Sequence, residues 1–137
     1  MSVKPFLDSN ILLYIYSTTE PDKCAVSTAL IKQNDCCTCI QALNEFCNVC
    51  LKKYRFDRSD IEKALNEILA AVEVFTIAPN TLRWALVLHE RYQYSFYDCV
   101  MLASAMQHSC EIFYSEDLSD GQVIEGIMKI TNPFKEQ

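Results

Sequence analysis

The sequence predicts an α/β protein in which a mainly parallel sheet of about five strands lies between two layers of helices. Short apolar runs with strand character alternate with longer segments whose apolar residues recur at helical spacing. This alternation is typical of parallel sheets, because each parallel connection crosses over through a helix. The chain has 137 residues and only two glycines. We therefore expect a single compact domain over residues 1–137, without long linkers.

The five predicted strands are short, apolar and separated by helical segments. They cover residues 3–7, 36–40, 72–77, 110–114 and 127–130. Helices are predicted over residues 9–17, 21–33, 41–54, 80–92 and 95–108. A further helix is expected to begin at the capping box Ser59-x-x-Glu62. Residues 115–121 are expected to form a loop and residues 122–125 a short turn.

Eight cysteines are many for a chain of this length. No apolar leader precedes them, and most fall inside apolar periodic segments, which favours buried thiols in the reducing cytoplasm. The groups Cys36-Cys37-x-Cys39 and Cys47-x-x-Cys50 leave a zinc site as an alternative, although a strand turns its side chains to alternating faces. No apolar run reaches the roughly 18 residues that span a bilayer, so no membrane association is expected.

Acidic residues stand where the predicted strands end or where neighbouring helices begin. Asp8 ends the first strand, Asp117 and Asp120 follow the fourth, and Asp98 lies in the first turn of a helix. Glu45 lies in the first half of the helix that follows the second strand. Because ligands bind beyond the carboxyl ends of parallel strands, we expect these acids to converge on one edge of the sheet.

Each acid also has a structural explanation. Asp8 can cap the helix that follows it, and Ser95-x-x-Asp98 has the form of a capping box. Glu45 lies in a polar helix stripe, and such stripes are commonly solvated faces. The other members of that stripe are Gln41, Asn48 and Lys52. Only the joint placement of the acids points to a function.

Carboxylates that cluster without a counter-charge repel each other, and a hard divalent cation relieves that repulsion. We therefore expect Asp8, Glu45, Asp98 and Asp117 to gather one or two Mg²⁺ or Mn²⁺ ions. Such a site orients a water and stabilises charge on a phosphodiester. The chain has no glycine-rich phosphate loop and only two histidines, so metal-assisted hydrolysis is the chemistry that these residues support.

Four segments, in order along nearly the whole chain, resemble the motifs of PIN domains. FLDSNIL at 6–12 resembles the opening strand that ends in Asp, and ALNEF at 42–46 is similar to the second acidic motif. SFYDCVMLASA at 95–105 strongly resembles the third motif, an Asp that opens an alanine-rich helix. YSEDL at 114–118 resembles the fourth, and NPF at 132–134 resembles a common ending of bacterial PIN-domain toxins.

This resemblance, to PIN-domain ribonucleases and in particular to VapC-type toxins of VapBC toxin–antitoxin systems, implies a PIN-like three-layer α/β/α sandwich. It also implies a Mg²⁺-dependent endoribonuclease that is the toxic component of a type II system. Asp8 and Asp98 match direct metal ligands, and Glu45 completes the cluster and positions the attacking water. Asp117 matches the fourth acid, with Asp120 as a weaker alternative for that role. Ser115 matches a hydroxyl that orients a carboxylate.

The resemblance further implies partners. These are an RNA substrate, of which transfer RNA is one candidate, a cognate VapB-type antitoxin, and a second copy of the chain in a homodimer. Three aromatic side chains are candidates for exposed interface residues, namely Tyr14, Tyr16 and Phe56.

The net charge of −6 opposes RNA binding by charge alone. Bound cations would offset part of it, and a basic cluster lies at the end of the third predicted helix. Lys52, Lys53 and Arg55 in that cluster are candidates for contact with the RNA backbone. An ordinary solvated helix end explains them equally well.

Two other functions remain open. The first is a catalytically inactive PIN-fold module that binds RNA or protein. The second is a phosphatase-like enzyme with Asp8 as nucleophile, although the second Asp usual in such enzymes, two positions on, is Asn10 here.

Overall fold

The computed structural model describes residues 4–33 and 35–135. Residue 3 of the first predicted strand lies outside these ranges. The strands within them are β1 Pro5–Leu7, β2 Cys37–Cys39, β3 Glu73–Phe75, β4 Ile112–Tyr114, β5 Val123–Ile124 and β6 Met128–Thr131. The helices are α1 Ser9–Ile15, α2 Pro21–Gln33, α3 Ile40–Lys52, α4 Arg58–Ala71, α5 Pro79–Tyr92 and α6 Phe96–Gln107.

The strands form one sheet in the order β3-β2-β1-β4-β6-β5. Every pairing is parallel except that between β5 and β6. The predicted mainly parallel sheet is therefore confirmed, with β5 as an additional sixth strand. Since β1, β2 and β4 are neighbours and parallel, their carboxyl ends open onto the same edge of the sheet.

The short strand β5 replaces the turn predicted at 122–125. Val123 pairs with Lys129 and Ile124 with Met128 in an antiparallel hairpin. Glu125 and Gly126 make the reversal with positive φ angles of 52° and 70°. Two residues are too few to show strand alternation in a sequence, so pairing with β6 is what makes this segment a strand.

Helices cover both faces of the sheet, as the three-layer prediction requires. Phe6 and Phe113 face α5 and α6, and their rings stack with centroids 5.0 Å apart. Leu7 points to the opposite face and joins the core formed with α1, α3 and α4. In α6 every residue from 99 to 105 is buried, so this helix, which carries Asp98 in its first turn, is anchored in the centre of the fold.

The cysteines are free thiols, and six of the eight are buried, which confirms the expectation that most are core residues. Cys36 belongs to one core, whereas Cys37 and Cys39 belong to the other. The strand thus separates these thiols between two faces. No helix in residues 4–33 or 35–135 combines the length and apolar character that a membrane crossing requires.

The aromatic side chains expected at a dimer surface are instead partly buried within the chain. Tyr14 packs edge-on against Phe134, with ring centroids 5.1 Å apart. Tyr16 contacts the Phe46 ring and Phe56 the Tyr54 ring, each at 5.8 Å. The expectation that they are exposed was wrong, because other aromatic rings partly cover them: Phe134 and Phe46 are distant in sequence from Tyr14 and Tyr16, whereas Tyr54 is only two residues from Phe56.

The N-cap of α4 lies two residues before the position that the sequence pattern indicated. Asp57, not Ser59, is the N-cap. Its carboxylate accepts a hydrogen bond from the Asp60 N–H at 2.8 Å, and the Asp60 carboxylate accepts one from the Asp57 N–H at 3.2 Å. The predicted capping box at Ser59 was wrong because Asp57-x-x-Asp60 offers an equivalent pair earlier in the chain.

Asp57→Ala is expected to lower the free energy of unfolding by about 1 kcal/mol, the usual contribution of an N-cap side chain. Ser59→Ala, two residues away in the same helix turn, is the matched control and should change it by less than about 0.5 kcal/mol. Urea unfolding followed by circular dichroism measures both. Equal losses in the two variants would contradict the assignment of Asp57 as the cap.

Candidate active site

Asp8 connects β1 to α1 at the carboxyl edge of the sheet. It is only 3% exposed. Its N–H donates to the Tyr114 carbonyl at 3.0 Å and so continues the sheet. Its carboxylate accepts hydrogen bonds from the Ser9 N–H and the Ser115 hydroxyl, both at 2.7 Å. Asp8 thus caps α1 and also presents a buried carboxylate at this edge.

Ser115 links the first and fourth acidic segments. It is fully buried and directly follows β4. Its hydroxyl donates to Asp8 Oδ2 and accepts the N–H of Asp117 at 3.2 Å. One hydroxyl therefore holds the Asp8 carboxylate and the turn that carries Asp117, which fits the orienting role expected for Ser115.

Asn10 lies between two of the acids. Its Nδ2 is 3.3 Å from Asp8 Oδ2 and 3.0 Å from Asp117 Oδ2. Its Oδ1 accepts the Glu116 N–H at 3.4 Å. The two carboxylates therefore face one amide nitrogen. In the sequence, Asn10 is notable only because it occupies the position of the second Asp of phosphatases. Its position two residues after Asp8 was the available indication that it could contact the Asp8 carboxylate.

Glu45 reaches the same edge from α3. Its Oε1 accepts the Ser9 hydroxyl at 3.0 Å, and that hydroxyl is also 3.4 Å from Asp8 Oδ1. Its Oε2 accepts the Gln41 amide at 3.2 Å. Ser9, which the sequence motifs did not single out, thus connects Glu45 to Asp8.

Asp98 lies in the first turn of α6 and is partly buried. Its N–H donates to the Ser95 hydroxyl at 3.2 Å, so Ser95 is the N-cap. Burial raises the pKa of Asp98, the charge of Asp117 raises it further, and Ser95 lowers it. Asp98 therefore acts on the other acids through its charge. Among the described residues, no side chain connects Asp98 to those acids by hydrogen bonds.

The buried position of Asp8 strongly perturbs its acidity. Burial raises the pKa of the Asp8 carboxyl to about 7, against the lowering effect of its hydrogen bonds from Ser115 and Ser9. The charges of Asp98 and Glu45 raise it further. The charges of Asp98 and Glu45 are thus part of the cost of ionising Asp8, and Asp117 meets Asp8 on the Asn10 amide.

The donor chemistry of this cluster suits a hard divalent cation. Within residues 4–33 and 35–135, no Lys or Arg forms an ion pair with any of the four carboxylates. No three His, Cys, Asp or Glu side chains in those ranges are already placed to hold a metal ion. The bridging groups of Ser9 and Asn10 occupy the space between the carboxylates. Because Mg²⁺ prefers oxygen ligands, needs only one or two protein carboxylates and keeps several waters, the oxygen donors of this set fit its ligand chemistry.

Asp120, the weaker alternative for the fourth acid, is engaged elsewhere. Its Oδ1 accepts the Asn132 N–H at 2.7 Å, and its Oδ2 lies 3.5 Å from Lys135 Nζ. The Asn132 N–H and Lys135 lower the pKa of this carboxyl. Asp117 is therefore the loop acid that faces Asn10 and Asp8.

A cavity of about 410 Å³ borders the acids, and Lys53 and Tyr54 line it together with Asn10 and Asp117. All three basic candidates are exposed, but Lys53 lines this cavity beside the acid cluster, whereas Lys52 and Arg55 do not. Of the three basic candidates, Lys53 is the one that the structure places next to the site.

Several solved structures have a similar fold. One is a toxin–antitoxin complex from Klebsiella pneumoniae, with 20% sequence identity and a TM-score of 0.69; the match covers 94% of this chain and 97% of that chain. VapC20 of Mycobacterium tuberculosis, described as a sarcin–ricin loop cleaving toxin, has 17% identity and a TM-score of 0.65 and covers 82% and 91%. VapBC2 of Rickettsia felis, bound to promoter DNA, has 14% identity and a TM-score of 0.64 and covers 84% and 89%. At these identities the likeness shows a shared fold.

No curated protein matches the sequence. The PIN domain family matches residues 6–119, which include all four acids of the cluster and the hydroxyl of Ser115. The chain belongs to the PIN domain family.

Proposed function

We propose that this protein is a Mg²⁺-dependent endoribonuclease and the toxic component of a type II toxin–antitoxin system. One observation carries the proposal: Asp8 and Asp117 meet on the Asn10 amide at the carboxyl edge of the sheet. Glu45 joins them through Ser9, and Asp98 raises the pKa of Asp8. Membership of the PIN family and the fold shared with toxin chains support the same function.

Each residue of the cluster has a role that follows from its position. Asp8 and Asp98 would hold the cation directly, with Asp117 as a further ligand or as a ligand through water. Mg²⁺ or Mn²⁺ supplies charge stabilisation on the phosphodiester and lowers the pKa of a water. Glu45, which is partly buried and accepts a hydrogen bond from Gln41, would position the attacking water and accept its proton. Ser115 keeps Asp8 and the Asp117 turn aligned.

Metal dependence tests this proposal. In Mg²⁺ or Mn²⁺ the purified protein is expected to cut total RNA at discrete internal sites, mapped by sequencing of the 5′ ends. Excess chelator should abolish cleavage, because carboxylates alone cannot neutralise the charge that develops on the phosphate. Restoration by added Mg²⁺ shows that the loss is reversible. Undiminished cleavage in chelator would refute the metal-dependent function.

The basic residues at the end of α3 give a separate prediction. Replacing Lys52, Lys53 and Arg55 by Gln is expected to weaken RNA binding and to reduce the slope of log affinity against log salt, by about 0.7–0.9 for each phosphate that is no longer neutralised. Fluorescence anisotropy at several salt concentrations measures both. Lys135→Gln, which removes a charge from the Asp120 ion pair, is the control. An unchanged slope of log affinity against log salt in the triple variant would show that these residues form an ordinary solvated helix end and do not contact RNA.

The proposed partners follow from the same function. They are RNA, with transfer RNA as one candidate, a VapB-type antitoxin, and a second copy of the chain in a homodimer. The fold is shared with chains solved as toxin–antitoxin complexes, which supports the antitoxin. The cytoplasm, where RNA substrates are found, is the proposed location.

A further inference from the structure

A groove of about 320 Å³ lies against Glu45, between α3 and the first turn of α6. It is lined by Gln41, Asn44, Glu45, Asn48 and Tyr97. Its volume falls in the range of about 300–1,000 Å³ that small-molecule sites occupy. Because Glu45 also belongs to the acid cluster, the groove lies directly beside the proposed site of hydrolysis.

The groove presents hydrogen-bonding groups that the fold does not use. Gln41, Asn44, Glu45 and Asn48 recur at helical spacing and so share one face of α3. Gln41 is engaged with Glu45, but the amides of Asn44 and Asn48 form no hydrogen bond to another described residue. Each amide offers both donors and an acceptor.

Tyr97 supplies a flat apolar surface on the other side of the groove. It is 63% exposed, which is more than any other large apolar or aromatic side chain of the described residues except Ile127. It stands next to Asp98 at the start of α6. The backbone that carries this ring belongs to a helix buried from residue 99 to residue 105, and the Tyr97 side chain itself is open to solvent.

We propose that this groove binds a nucleobase of the RNA adjacent to the bond that is cut. Tyr97 stacks on the base, and the amides of Asn44 and Asn48 hydrogen-bond to its edge. An aromatic surface beside Asn side chains is the chemistry by which proteins recognise unpaired bases. The groove has no cationic lining residue, so it suits a base rather than a phosphate. The identity of the ligand rests on the proposed ribonuclease function, and the consequence is base selectivity at one position beside the cut.

The first test measures RNA binding at reduced turnover. An Asp117→Asn background reduces cleavage, and fluorescence anisotropy in Mg²⁺ follows a 5′-fluorescein RNA of twelve random nucleotides. In this background Tyr97→Ala is expected to weaken binding by about tenfold, the loss of one base–aromatic stack, whereas Tyr97→Phe retains it. Leu86→Ala on α5, also an exposed apolar side chain, is the matched control. Equal affinity of the Tyr97→Ala and Leu86→Ala proteins would overturn the proposal.

The second test reads selectivity in the chain with Asp117 intact. Cleavage sites in a random RNA pool are expected to show a base preference at one position beside the cut. The double replacement Asn44→Ala/Asn48→Ala should reduce that preference at least threefold, and Asn66→Ala on α4 should not. An unchanged base preference in the double variant would overturn the proposal that the groove binds a base, while the ribonuclease function would stand. Tyr97-dependent binding in a protein that cuts no RNA would support the groove and refute the ribonuclease.

Discussion

Asp98→Asn is expected to lower the rate of RNA cleavage by at least about a hundredfold while the protein remains folded. The replacement removes one negative charge from the cluster that would hold the cation. It leaves the backbone N–H that donates to Ser95, so the N-cap of α6 is preserved. Initial rates on 5′-labelled RNA in saturating Mg²⁺ measure the effect, and a thermal unfolding curve checks the fold.

Asp120→Asn is the matched control for that prediction. It makes the same chemical change in an acid whose oxygens are engaged by Asn132 and Lys135, outside the cluster. Its cleavage rate is expected to stay within about twofold of the original. If Asp98→Asn also retained full activity, the acid cluster would not be the catalytic centre.

The second large effect concerns stability in chelator. Thermal stability is expected to fall as the pH rises from 5 to about 7 and then to level off. The cause is burial, which together with the charges of Asp98 and Glu45 raises the pKa of Asp8 to about 7 in the folded state, from an ordinary value of 3.8. Between these two values the folded protein retains a proton that the unfolded chain has released, so raising the pH favours unfolding.

The size of this effect follows from the linkage. Between pH 5 and 7 the loss is about 2–3 kcal/mol, which corresponds to a fall in Tm on the order of 5–10 °C. Asp98, whose pKa is also raised, contributes in the same direction. Glu116 and Asp120 have lowered pKa values, so their ionised forms stabilise the folded protein. That stabilisation is lost only as the pH falls below about 4.5, outside the range of this prediction.

Thermal unfolding between pH 5 and 8 in excess chelator measures this dependence. Asp8→Asn cannot ionise, so it is expected to flatten most of the slope and to be more stable than the original chain at pH 7.5. Mg²⁺ at a hundred times its Kd is expected to add about 2.7 kcal/mol to the original chain at that pH and much less to Asp8→Asn. Identical pH slopes in the two proteins would show that Asp8 is not the acid whose buried carboxyl retains a proton up to about pH 7.

The site itself was only partly predictable from sequence. The acids were identified because each stands at the end of a strand or the start of a helix, and such positions can be read from local patterns. Asn10 and Ser9 were missed because their roles are contacts between segments. Asn10 reaches Asp117, which is 107 residues further along the chain.

By itself, the sequence determined the order of strands and helices, the parallel sheet and the strand ends where the acids lie. Apolar periodicity and capping residues act within a few positions, so they can be read without a structure. Only the tertiary structure decided that Val123–Ile124 is a strand, that Asp117 rather than Asp120 meets Asp8 on the Asn10 amide, and that Phe134 partly covers Tyr14. Each of these depends on which distant segments pack together, because strand pairing, charge repulsion and burial are properties of neighbours in space.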